Sequence, residues 1–118
     1  MKNHSVHRLA LISLLVLLVS ACGSNKKNIA MQLHSDPQGA YALMQVKEKG
    51  NENSDWIFLG PTPVITNKKV TFKDATSVSL KVIRPGFYEQ VKTWSVKDFL
   101  KEHRQNDKIQ WVPNMVKQ

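Results

Sequence analysis

Hydrophobic and polar residues divide the chain into three regimes. Residues 1–8 are polar and basic, with Lys2 and Arg8 and no acid, and Leu9–Val19 is almost wholly Leu, Ile, Val and Ala. Small residues follow at Ser20-Ala21-Cys22-Gly23-Ser24. A basic start, an apolar run of about 11 residues and a small-residue exit form the three-part pattern of a secretory signal. The run is far short of the roughly 20 apolar residues that a transmembrane helix needs. From Ile29 onward the pattern is different, and apolar residues recur with a period of two.

Ile29–His34 alternates Ile29, Met31 and Leu33 with Ala30, Gln32 and His34, which predicts a half-buried strand. Ser35-Asp36-Pro37-Gln38-Gly39 follows, with Asp, Pro and Gly at the first, second and fourth places of a type I turn. Ala40–Lys47 is apolar on both faces, as for a central strand, and the turn predicts a hairpin with the strand before it. Glu48–Asp55 is a polar loop, and Trp56–Leu59 is predicted as a short buried strand ended by Gly60-Pro61-Thr62-Pro63. Val64–Thr66 and Val70–Phe72 read as two short strands around Asn67-Lys68-Lys69. Ser77–Ile83 alternates cleanly, Pro85-Gly86 suits a type II turn, and Tyr88–Trp94 is a further strand.

The period then lengthens. Ser95 is placed to cap a helix, Asp98 stands three residues on near the positive end, and Trp94 can staple onto Phe99. A helix over 96–104 is expected, then a last strand over 108–112 with Ile109 and Trp111, and a short tail at 113–118. Many short strands, with a turn signal about every ten residues, predict a mainly β protein. The expected fold class is a small antiparallel β-sandwich with one short C-terminal helix.

Composition narrows the setting. Cys22 is the only cysteine, so no disulfide can form within the chain and the fold rests on its apolar core. Removal of residues 1–21 leaves 97 residues with 15 basic and 9 acidic side chains, a net charge of +6. That charge suits anionic envelope surfaces. Nucleic acid is the other usual partner of a basic domain, but an exported chain rarely meets it, and none is expected.

Leu18-Val19-Ser20-Ala21-Cys22 resembles the lipobox of bacterial lipoproteins, an aliphatic residue and two small ones before a cysteine. The resemblance implies cleavage between Ala21 and Cys22, a diacylglyceryl group on the Cys22 sulfur, and acylation of the new amino terminus. One acyl chain holds a protein only marginally, at about 0.8 kcal/mol per buried methylene, whereas two or three hold it stably. Gly23, where an aspartate favours the inner membrane, points to the outer membrane, facing the periplasm. Residues 22–28 then form a lipidated tether to a domain over 29–112. The rival is ordinary secretion with cleavage at the same small residues, which leaves Cys22 as an unpaired thiol.

A second resemblance rests on Ser35-Asp36-Pro37-Gln38-Gly39-Ala40, Gly60-Pro61-Thr62-Pro63 and Arg84-Pro85-Gly86-Phe87-Tyr88. In that order these segments look like the PEGA domain family, over about residues 29–94. Gln38 stands where the family has glutamate, and the loop at Glu48–Asp55 is longer. The matched positions are turn-makers. The resemblance therefore implies a β-sandwich of envelope proteins and no catalytic residues.

The residues supply little chemistry of their own. His34 and His103 are the only histidines after the leader and stand at no metal-binding spacing. No Gly-x-Ser-x-Gly elbow and no glycine-rich phosphate loop is present. Asp36, Asp55 and Asp74 fall in turns or loops, where solvated acids are the default. No enzyme, metal or cofactor is expected beyond covalent lipid on Cys22. Trp56, Trp94 and Trp111, with Tyr41 and Tyr88, are the candidate platform for stacking sugar rings, against a reading in which the tryptophans are core. The expected function is a lipid-anchored, non-catalytic structural or interaction module. The alternatives are a module that binds peptidoglycan or another glycan, and an accessory subunit of an envelope assembly.

Overall fold

The computed structural model of the chain describes residues 26–51 and 53–118. The leader, the Ala21–Cys22 junction and Cys22 itself lie outside the described residues. Seven strands and one helix follow in order: β1 (Lys26–Leu33), β2 (Tyr41–Glu48), β3 (Trp56–Pro61), β4 (Val64–Thr71), β5 (Ala75–Ile83), β6 (Gln90–Ser95), α1 (Val96–Asn106) and β7 (Ile109–Trp111). They form two sheets, ordered β4-β1-β7 and β3-β2-β5-β6. The fold is a β-sandwich with a C-terminal helix, as the alternation predicts.

Period-two alternation builds the core. Ile29, Met31 and Leu33 on β1, Ala42 and Met44 on β2, and Val78, Leu80 and Val82 on β5 are all at most 1% exposed. Phe99 of α1 is fully buried with them and meets Trp94 edge-on at 5.5 Å and Phe72 at 6.1 Å. The Trp94–Phe99 contact is the expected staple, and the Ser95 hydroxyl accepts from the Asp98 N–H at 3.1 Å. Asp107, at φ 58°, ends the helix in the left-handed conformation. β7 pairs only with Met31–Leu33 of β1. One residue upstream, the Ala30 N–H donates instead to Nε2 of His103 at 3.1 Å, which ties α1 to the sheet.

The structure corrects five details. β1 and β2 do not form a hairpin; β1 pairs with β4 and β7, and β2 with β3 and β5. Residues 34–40 cross from one sheet to the other, because each strand has an apolar face to bury and the sandwich buries them against each other. The expected pair of strands around Asn67-Lys68-Lys69 is one edge strand, β4, which is buried only at Val64 and Val70, with the polar stretch between them on its half-buried and exposed positions. β3 is also an edge strand, with Phe58 59% exposed rather than buried. β1 begins at Lys26, inside the stretch expected as tether, where its first three side chains are exposed and leave no hydrophobic signal. The β1–β7 pair is parallel, unlike the other ladders between named strands, because β6 brings the chain to the end from which β1 starts and α1 carries it across to the other sheet.

The strands run between two ends. One, here termed the tether end, holds the start of β1, the β2–β3 and β4–β5 connections and the start of α1. At the opposite, far end, Thr62 organises the segments that resemble the PEGA motifs. Its buried Oγ1 accepts from the N–H groups of Gly39 at 3.1 Å and Ala40 at 3.0 Å. It lies 2.6 Å from Ser35 Oγ, which donates to the Pro37 carbonyl at 2.7 Å. With its lone pairs taken by two amides, the Thr62 hydroxyl is left to donate to Ser35, so the first two of these segments are joined by one chain of donors. Gly39 (φ 91°) and Gly86 (φ 85°) occupy backbone conformations that side chains disfavour. The Arg84 carbonyl accepts from the Phe87 N–H at 3.1 Å, which closes the expected Pro85-Gly86 turn.

The last residues also belong to this end. Asp36 donates to the Pro113 carbonyl at 3.1 Å and accepts from the Met115 N–H at 2.8 Å. Tyr88 donates to Val116 at 2.8 Å, and Gln118 to Gly86 at 2.9 Å. Met115 is buried. What reads as a tail in the sequence is the strap that holds two turns together.

Candidate functional site

The outward face of the β3-β2-β5-β6 sheet carries the largest group of exposed aromatic side chains. Alternation in β2 turns Ala42 and Met44 to the core and Tyr41, Leu43 and Gln45 outward. Register then sets Trp56 opposite Gln45, Phe58 and Lys81 opposite Leu43, and Ile83 opposite Tyr41. Tyr41 and Phe58 lie 6.0 Å apart at 46°, and the Lys81 ammonium stands 4.0 Å above the Trp56 ring. Tyr41 is 49% and Phe58 59% exposed. Across β5, Val91 is opposite Lys81, and Ser79 shares a 2.8 Å hydroxyl bond with Thr93. The face carries Lys47 and Lys81, and the one carboxylate in its ladders, Glu48, stands at the end of β2 past a register shift. Chemically it offers flat apolar rings beside ammonium groups and hydroxyls, with no titrating pair aimed at a common point.

The three tryptophans do not share this face. Trp56 lies on it, half-buried under Lys81. Trp94 is opposite the buried Val78 and points into the core, with the Lys92 ammonium 4.8 Å from its ring. Trp111 is on β7, in the other sheet, half-buried against the core. The strands that carry them are β3, β6 and β7, each at the edge of a sheet. Tyr41 does join Trp56, while Tyr88 is exposed in the β5–β6 connection. Phe58 is the member that sequence reasoning missed. Its run, Trp56-Ile57-Phe58-Leu59, is apolar at every position and hides which side faces water.

The remaining polar side chains form open hollows. Between the sheets at the tether end, a cleft of about 220 Å³ is lined by Glu48 and Asp55 opposite Lys68 and Lys69, over Met44 and Val70. Both carboxylates are exposed. Glu102, one of whose carboxylate oxygens is buried without a partner, lines another hollow with Asn106, Lys108 and Gln110. Among the described residues no group of three or more His, Cys, Asp or Glu comes together as a metal cage. His34 is 3.4 Å from Gln38 and His103 is engaged by Ala30. No described helix is long and apolar enough to cross a membrane.

Comparison with known proteins adds no relative. No family model matches the chain, and neither a curated protein nor a solved structure shows a significant match to it.

Proposed function

We propose that the chain is a lipid-anchored envelope protein whose β-sandwich is a non-catalytic interaction module. The observation that carries this reading is Leu18-Val19-Ser20-Ala21-Cys22 after a basic, then apolar, leader, with Cys22 the single cysteine. The lipid on Cys22 holds the domain to a membrane, and Gly23 favours the outer membrane, facing the periplasm. The sandwich is a PEGA-like domain in this reading. Its support is that Pro37, Gly39 and Thr62, which carry the resemblance, meet at one corner through the Ser35–Thr62 network. The test is detergent phase partition of membranes from cells making the chain or its Cys22→Ser variant. The parent chain enters the detergent phase and the variant does not; equal partition of the two overturns the anchor.

A second reading is favoured by a specific observation, the grouping of Trp56, Phe58 and Tyr41 beside Lys81. Flat apolar rings stack on sugar rings, so this face suits a cell-wall glycan. Sedimentation with isolated peptidoglycan in raised salt tests it. Phe58→Ala and Trp56→Ala then lower the bound fraction, and binding that salt abolishes in the parent chain counts against stacking.

A further inference from the structure

The topology gathers lysines at one end of the sandwich. Lys26 and Lys27 open β1, and the β1–β4 register sets Lys68 and Lys69 beside them, opposite Ile29 and Asn28. Lys47 stands next to last in β2, before Glu48 and Lys49, and the Lys49 N–H donates to the Asp74 carbonyl at 2.8 Å and so brings Lys73 to the same end. Five of these seven, Lys26, Lys27, Lys49, Lys69 and Lys73, are exposed. The acids there are Glu48, Asp55 and Asp74, with Glu52 in the same connection of the sequence; even with all four counted, the lysines exceed them by three. Lys97 and Asp98 of the first helical turn cancel. At the far end Asp36 and Glu89 balance Arg84 and Lys117.

The charged end is also the one from which the chain leaves for Cys22. Three residues lie between Cys22 and Lys26, so the span from one to the other is at most about 14 Å. A lipid on Cys22 thus holds Lys26 within about two screening lengths of the bilayer surface and lets the other lysines of this end reach it, where the potential of anionic headgroups acts on them.

We infer that the tether end of the sandwich docks on an anionic lipid surface, with the strands upright and the aromatic face turned sideways, open to a partner. The inference rests on the lipid anchor for its geometry, but the lysines and the anchor are separable. Acyl chains insert into any bilayer, whereas the lysines distinguish an anionic bilayer from a zwitterionic one. The attraction is worth roughly a fivefold change in affinity for each lysine near the surface.

The experiment reconstitutes the chain, purified from membranes, into vesicles of phosphatidylcholine alone or of phosphatidylcholine with phosphatidylglycerol at 7:3. Flotation reads the anchor, and amine-reactive labelling read by mass spectrometry reports each lysine. The expected result is flotation with both vesicles. Labelling of Lys68, Lys69 and Lys73 falls at least fivefold only on the anionic vesicles, Lys117 is unchanged, and raised salt restores the labelling. Equal labelling of Lys68, Lys69 and Lys73 on both vesicles overturns the docking while leaving the anchor intact. Failure to float with phosphatidylcholine overturns the anchor instead. Protection of these lysines by a soluble anionic polysaccharide, with none on vesicles, also overturns the lipid assignment. The variant Lys49→Gln/Lys69→Gln keeps its fold, since both side chains are exposed, and loses the remaining protection at Lys73.

Discussion

The two ends of the sandwich are built on opposite principles. At the far end, backbone amides are consumed: Thr62 takes two of them, the Ser35 hydroxyl closes the chain of donors, and residues 113–118 tie Asp36, Gly86 and Tyr88 together. At the tether end the connections are polar and exposed, braced by short bonds such as Gln45 Nε2 to the Ser54 carbonyl at 2.6 Å. Residues at the far end are therefore committed to keeping the two sheets in place. Those at the tether end are free to vary in charge at little structural cost, and they carry the lysines. The proposed anchor makes use of this division: rigidity and attraction to a membrane fall to different residues.

The contrast is open to a graded series of substitutions. Thr62→Val keeps the shape but removes the hydroxyl that accepts from the buried Ala40 N–H and bonds Ser35, while the Gly39 N–H keeps the Thr62 carbonyl. It costs about 3 kcal/mol in urea denaturation, since each orphaned group costs about 1–3 kcal/mol. A loss below about 0.5 kcal/mol contradicts the proposed role of the far end. Met115→Ala removes a buried side chain of the C-terminal strap and costs about 2 kcal/mol, the lower part of the range for buried Met. A solvated tail loses nothing on that change.

Ser95→Ala removes the cap of α1, the one specified feature of the tether end. It lowers stability by about 1 kcal/mol, measured by thermal unfolding followed by circular dichroism. The smallest effect belongs to Lys49→Gln with Lys69→Gln, both exposed, which stays within about 0.5 kcal/mol of the parent as surface changes do. A large loss there shows that the lysines hold the fold and are not free to serve the membrane.

These differences also explain what was legible in the sequence. Strands with one wet face announce themselves, and the alternation of Val78, Leu80 and Val82 located β5. The cap and staple at Ser95, Asp98 and Phe99 did the same for α1, because local rules dictate a helix start. Pairing was harder to read. The run from Leu33 to Tyr41 carries the signals of a hairpin turn, and nothing within it reveals that the chain changes sheet. That choice is made by Thr62, more than twenty residues away, when it binds Gly39 and Ala40. The strap at 113–118 was hidden for the same reason: its bonds are backbone to backbone and leave no side-chain pattern. Of the aromatic site, Trp56 and Tyr41 were in view, and Phe58 was not. A run apolar at every position reads as buried until its place at a sheet edge is known.

The account depends most on Cys22. After cleavage at Ala21–Cys22, trypsin releases Cys22-Gly-Ser-Asn-Lys26 as the first peptide of the chain. Mass spectrometry of that peptide from purified membranes measures the modification directly. The predicted result is a mass raised by a diacylglyceryl group on sulfur and an acyl group on the amino terminus. A peptide that begins at Cys22 with a free thiol and a free amine contradicts the account.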